Sequence, residues 1–179
     1  RINTGEARGK IAYNAYADAL YDPRCHVIQA IAHSGDTIAT LVNYAVHPEV
    51  LGANTGICSP DMIWPMTQTI ERSIGGVAMF MNSALGGMVT ADNRKADGSD
   101  SRIWAECERI GGLLGNEALR IIQEAEFQDD TQLKIHSKQV SFPVKSPEMR
   151  AVLGTSPLPY ELDKEGYIAT TMNLIELGK

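Results

Sequence analysis

No run of about 18 apolar residues occurs anywhere in the chain, so it offers no bilayer-spanning helix. An excess of positive charge is missing too: 16 Lys and Arg stand against 22 Asp and Glu, a formal net charge of -6. That balance argues against nucleic acid and against an anionic membrane surface as partners, because both need a basic face. Cysteine is sparse, with Cys25, Cys58 and Cys107 forming an odd set and no C-x-x-C pair. A disulfide framework or a zinc knuckle is therefore not expected, and the three thiols read as buried and inert.

Several motifs are missing as well. The sequence has neither G-x-G-x-x-G nor a Walker lysine, so Gly86-Gly87 after a strand is not a nucleotide loop. It has no G-x-S-x-G elbow, which removes a serine hydrolase of the α/β-hydrolase kind. Its first residues, Arg1-Ile2-Asn3-Thr4-Gly5-Glu6, contain no signal-peptide h-region. Both ends read as cut, the last residues resembling a strand that arrives at a turn. No repeat, low-complexity tract or linker divides the chain.

What remains is 179 residues with 44% apolar and 21% charged content, enough for one globular domain with a sizeable core. The organising stretch is Leu41-Val42-Asn43-Tyr44-Ala45-Val46-His47-Pro48. Residues 37–46 are apolar or β-branched at most positions and follow a Ser34-Gly35-Asp36 turn signal, which predicts a buried strand. Pro48 holds His47 extended and withholds a ladder N–H, so the strand ends there. His47 thus sits at the carboxyl end of a strand, where open α/β sheets hold ligands and metals.

Upstream, residues 1–24 read as surface wrapping with a helical turn near 14–20, and 25–33 as the hairpin partner of 37–46. Downstream, Pro65 reads as the first residue of a helix that runs to about Ser73 and closes at Gly75-Gly76. Residues 77–81 are fully apolar, the pattern of a central buried strand. Strand, helix, strand and glycine-rich loop make a crossover unit, which brings the His47 loop and the Gly86-Gly87 loop together. Residues 101–124 carry Ile103, Cys107, Ile110, Leu114 and Ile121 on one helical stripe, with Asp100 or Ser101 as cap. Gly111, Gly112 and Gly115 inside it predict close packing of helix on sheet. Residues 132–144 and 166–177 read as strands, separated by an irregular stretch punctuated by Pro143, Pro147, Pro157 and Pro159. His26, His33 and His136 read as structural residues on strands.

Candidate polar residues cluster around these two loops. Ser83 and Thr90 are hydroxyls that either face a cleft or cap loop backbone. Asp61, after Ser59-Pro60, either caps the following helix or orders a catalytic histidine.

Taken together, Asn43-Tyr44-Ala45-Val46-His47-Pro48, Ser59-Pro60-Asp61 and the run from Gly75-Gly76 through Met81-Asn82-Ser83 to Gly86-Gly87 resemble the neutral/alkaline (non-lysosomal) ceramidase family. The resemblance covers roughly residues 22–92. It implies an α/β fold, a mixed sheet with flanking helices, in which residues 1–179 form a single domain fragment from the centre of a larger catalytic domain. It implies a zinc amidohydrolase that cleaves the N-acyl bond of ceramide or a related lipid amide. His47 corresponds to one zinc-holding histidine, and Asp61 to a polar position close to the site. The family's substrate-contacting serine falls on Val89 without a gap and on Thr90 with a one-residue slip; Thr90 is preferred because it keeps a hydroxyl. Ser83, Gly86 and Gly87 are the implied substrate-binding loop, and Met62, Trp64, Met79, Met81 and Met88 a candidate apolar channel.

The family's other metal ligands cannot be placed in this sequence, so the isolated chain is expected to be inactive and to expose sheet edges through which it self-associates. A secreted or periplasmic location follows from resemblance only. The alternatives are a non-catalytic lipid- or protein-binding domain on the same scaffold, favoured by Val89 and Ala91 in place of polar loop residues, or a metallohydrolase of another amide or ester.

Overall fold

The computed structural model describes residues 1–53, 56–157, 162–163 and 165–178. Asn54 and Thr55 of the turn-rich loop, and Pro159, lie outside the described residues. Two compact units divide the chain, Arg1–Phe127 and Gln128–Lys179.

In the first unit, Arg24–Ile31 (β3) and Thr37–Tyr44 (β4) form the expected antiparallel hairpin, with Val27 opposite Val42 and His26 opposite Asn43. Both strands alternate. Cys25, Val27, Val42 and Tyr44 point into the core, where they meet Met66 and Ile70 of one helix and Ile110, Leu114, Ile121 and Ile122 of another. Val77–Asn82 (β5) adds to β4 in parallel after the helix Ile63–Ile74 (α1), so the sheet is mixed. Its order is β1-β3-β4-β5, where β1 is Ile2–Glu6.

The sequence reading of residues 1–24 as wrapping is corrected here, because two strands form. β1 completes the sheet on β3, and Ala12–Asn14 (β2) pairs with Val89–Ala91 (β6). No helical turn follows Asn14, whose side-chain oxygen accepts the N–H groups of Tyr16 and Ala17 and offers the backbone a turn instead. β5 is not central either. Among the described residues it is an edge strand with only Ala78 buried, because an all-apolar pattern reports two faces that tolerate cover and not the number of neighbours.

Pro65 lies in the first turn of α1, where a missing N–H costs nothing, and Gly75 ends the helix at φ 74. Gly76 follows at φ 71, and a Cβ there would lie 2.7 Å from the Thr37 carbonyl oxygen, so only glycine passes this close to β4. Trp104–Gln123 (α2) begins at Ile103 and not at Asp100 or Ser101, because Asp100 is drawn to Arg102 at 2.7 Å. Cys107, Ile110, Leu114 and Ile121 of its stripe are buried, whereas Ile103 is exposed. The helix glycines pack differently from expectation: a Cβ on Gly111 would overlap the Met62 carbonyl oxygen, and one on Gly115 would lie 2.8 Å from Thr69 Cβ. The close approach is helix on helix, and Gly112 faces open space.

The second unit is an antiparallel ribbon of Leu133–Pro143 (β7) and Tyr167–Leu177 (β8). Between them lies a helix, Pro147–Thr155 (α3), where the prolines had predicted irregular chain. Ser146 caps it by accepting from the Met149 N–H, and Pro147 opens it.

Candidate functional site

β4 ends at Tyr44, and its chain continues to a single parallel bridge between His47 and Thr90. The Val89 carbonyl accepts both the His47 N–H, at 3.2 Å, and His47 Nδ1, at 2.6 Å. A carbonyl oxygen only accepts, so Nδ1 carries the proton, and in the neutral ring Nε2 holds the lone pair. Among the described residues nothing bonds Nε2. Metal-binding histidines commonly have this arrangement, with the far nitrogen tied to a carbonyl and the near one free. The crossover has therefore brought the His47 and Gly86-Gly87 loops together.

Thr90 and Val89 part at this bridge. Val89 is buried in the core, while Thr90 is half-buried and pairs with His47 on one side and Tyr13 on the other. Thr90 also lines a polar cavity of about 250 Å³ with Tyr13, Glu49, Asn93, Asp100 and Arg102. Burial, then the Asp100 charge, pushes the Tyr13 phenol up, so it remains a proton donor at neutral pH. Such walls suit a group bearing hydroxyls or an amine better than an acyl chain.

Asp61 is held below the loop that follows His47. Its carboxylate accepts the N–H groups of Val50 at 3.1 Å, Leu51 at 2.9 Å and Met62 at 2.7 Å, and its own N–H donates to Ser59 Oγ. It sits at φ 53, left-handed backbone that a side chain adopts only when its surroundings compensate. Burial, followed by the charge of Asp61 and a hydrogen bond to it, pushes the Cys107 thiol up to about 12. With both oxygens engaged, Asp61 organises the 48–51 turn.

Ser83 donates its backbone N–H to the Tyr44 carbonyl at 3.0 Å and leaves its hydroxyl at the half-buried loop edge. Gly86 and Gly87 are exposed, Gly86 at φ 55, with open space where their Cβ atoms would stand. Trp64, Met79, Met81 and Met88 are about half exposed, but Met62 is buried beneath Gly111 and lines no channel. Cys58 is exposed, contrary to the sequence reading, because it lies in loop and on no core-facing stripe.

Two asparagines have contacts to which the sequence reading assigned no role. Asn82 Nδ2 donates to the Val46 carbonyl at 2.7 Å, and Asn93 Nδ2 to the Val50 carbonyl at 3.2 Å. Asn82 directly follows an apolar run, whereas Asn93 follows Asp92 and carries no comparable signal. His26 bonds Thr4 Oγ1 across the strands and His136 lies 3.6 Å from Glu176, in keeping with structural places.

The whole chain superposes on solved ceramidases. The neutral ceramidase from Pseudomonas aeruginosa matches at a TM-score of 0.70 and 16% identity over 99% of this chain and 38% of its own. A ceramidase complexed with C2 matches at 0.69 and 15% identity, over 99% of this chain and 40% of its own. The fold is that of a neutral ceramidase segment. No protein-family model matches the sequence, and no curated protein sequence matches it. The chain spans about two fifths of the ceramidase chains it matches. Among the described residues no three His, Cys, Asp or Glu side chains gather to hold a metal ion. His47, with Nδ1 tied to the Val89 carbonyl, could offer one nitrogen to a metal ion, and the described residues around it do not complete a ligand set. No described helix is long and apolar enough to cross a membrane.

Proposed function

We propose that this chain is part of the catalytic domain of a zinc-dependent lipid-amide hydrolase, with ceramide or a related N-acyl lipid as substrate. The observation that carries the reading is the His47–Thr90 bridge at the carboxyl end of β4, with Nδ1 tied to Val89 and Nε2 free. His47 Nε2 supplies one metal ligand, and the remaining ligands come from a longer polypeptide of which both compact units are parts. Zinc in such a site lowers the pKa of a bound water to about 7. Within this chain, Thr90 is placed beside the ligand to contact the scissile amide. Ser83 and the backbone of Gly86 and Gly87 border the substrate, and Asp61 fixes the loop that carries His47. The polar cavity on Thr90 takes the hydroxyl-bearing end of the lipid, leaving the acyl chain to the exposed Met81 and Met88 side. The open outer edge of β5 supports self-association of the isolated chain; a strictly monomeric species by light scattering would count against it.

A second reading, a lipid- or protein-binding domain on the same scaffold without catalysis, draws support from the engaged Asp61 carboxylate and the incomplete ligand set. Zinc content and cleavage of a short-chain fluorescent ceramide separate the two. The longer protein is expected to bind about one zinc and cleave, while its His47→Ala variant and the isolated chain do neither. A longer protein free of zinc and inert on lipid amides leaves the binding reading, and cleavage of other amides or esters alone moves the substrate class.

A further inference from the structure

Asn93 is a buried amide, 6% exposed, placed just beyond β6. Its Nδ2 donates to the Val50 carbonyl and to the Ser101 carbonyl, each at 3.2 Å. Its backbone is fixed as well: its N–H donates to Ala91 O at 3.0 Å and its carbonyl accepts from Ser101 N at 2.9 Å. Two short segments, 47–50 and 89–93, therefore run side by side and are joined at both ends. At one end the Val89 carbonyl holds the His47 N–H and Nδ1; at the other, Asn93 holds Val50. Between them, the Glu49 N–H donates to the His47 carbonyl at 3.0 Å, so a pull on Val50 reaches His47 through one tight turn. Asp61 grips the same turn from its N–H side.

We infer that Asn93 is a positioning residue for His47: it keeps the His47 turn in register with β6, so that the imidazole remains in the Nδ1–H tautomer with Nε2 open. The inference rests on the reading of His47 as a metal ligand for its purpose, although not for its geometry. A tethered segment restrains the ring because Nδ1 reaches the Val89 carbonyl only in this register. If Val50 is released, the short 47–50 turn pivots about Pro48 and Nδ1 loses a well-aligned acceptor. The neutral ring then reverts toward the Nε2–H form that free imidazole favours. That form presents a proton where a metal needs a lone pair.

The test is made first on this chain, without metal. Side-chain ¹⁵N shifts of His47 at a pH where the ring is neutral report the tautomer ratio directly. Asn93→Leu, which keeps bulk and removes the donor, is expected to move that ratio about fivefold toward Nε2–H, the equivalent of one neutral hydrogen bond. Asn93→Asp, which keeps the shape but cannot donate to Val50, is expected to do the same. The control is Asn3→Leu. It removes the amide that joins β1 to Ile121 of α2 at 2.7 Å, and should lower stability while leaving the His47 shifts in place. Unchanged His47 shifts in both Asn93 variants, with stability lost as in Asn3→Leu, would overturn the inference and leave Asn93 a plain structural residue. In the longer protein, Asn93→Leu is expected to weaken zinc binding about tenfold, as removal of outer-shell partners does. A moved tautomer with unmoved zinc affinity upholds the positioning role and rejects the metal reading instead.

Discussion

The two compact units solve the same problem in opposite ways. Residues Arg1–Phe127 bury a continuous set of side chains between a mixed sheet and two helices, so each strand is held by what lies beneath it. Residues Gln128–Lys179 form two 11-residue strands in full register, and yet Val144 is the one buried side chain among the described residues there. Backbone pairing and exposed polar side-chain pairs such as Ser137 with Asn173 make the second unit, and a two-stranded ribbon is marginal in water without a face to pack on. Hydrogen-bond ladders define a shape, whereas a covered apolar face is what makes the shape stable.

Matched truncations test that contrast most strongly. Ile110→Ala, at a fully buried site, is expected to destabilise the first unit by about 4 kcal/mol, while Ile135→Ala, 61% exposed, should change stability by less than about 0.5 kcal/mol. Chemical denaturation of the two variants reads the difference, and equal losses would break the comparison. Next come the paired helix glycines. Gly111→Ala places a methyl group on the Met62 carbonyl and should cost about 3 kcal/mol, whereas Gly112→Ala meets open space and should add about 1 kcal/mol. A thermal melt in which both lose stability would mean that α1 and α2 do not pack as described.

A smaller effect concerns charge at the rim of the first core. Burial raises the Asp92 carboxyl, but the hydrogen bonds and charge of Arg94, with Lys10 beyond, outweigh it and hold the group below its ordinary 3.8. A depressed native pKa contributes stability in full above the unfolded value and loses it as pH falls through the folded one. Asp92→Asn should therefore cost about 2 kcal/mol at neutral pH, and the gap to wild type should close only below pH 3.8. A gap that persists in acid would assign the loss to packing. Reactivity gives the last contrast, with no effect on stability. Burial pushes the Cys25 thiol up to about 12, as it does Cys107, while Cys58 is exposed. Native alkylation followed by mass measurement should show one adduct, at Cys58.

Elements with a one-sided pattern are legible in the sequence alone. The β3–β4 hairpin, α1, the buried stripe of α2 and the meeting of the His47 and Gly86-Gly87 loops all follow from periodicity, a turn signal or crossover logic. β1, β2 and β6 were not legible, because strands of three to five residues that carry Asn3, Thr4, Gly5 and Asn14 have no period long enough to read. α3 was hidden by its prolines, although Ser146-Pro147-Glu148 is a helix start once Ser146 is seen to cap Met149. At the candidate site, the place of His47 beyond the end of β4 was legible from His-Pro after an apolar run, and the choice of Thr90 over Val89 rested on a hydroxyl. Asp61 was not legible as an anchor of three backbone N–H groups, since its partners Val50 and Leu51 are set by tertiary folding. Asn93 failed for the same reason.

The Val89 carbonyl that fixes His47 lies 42 residues further along the chain. The β3–β4 hairpin needs only a short turn, but the His47 bridge must wait for α1 to dock, β5 to pair in parallel and β6 to arrive. Non-local closures of this kind are the slow events of folding. Pulsed hydrogen exchange should therefore find the Leu41 amide, which faces Ile28 across the hairpin, protected before that of His47, and simultaneous protection would refute this order. An imidazole whose Nδ1 partner lies across a whole crossover is a late reporter of the fold: its ring orientation is fixed only once the scaffold around it is complete.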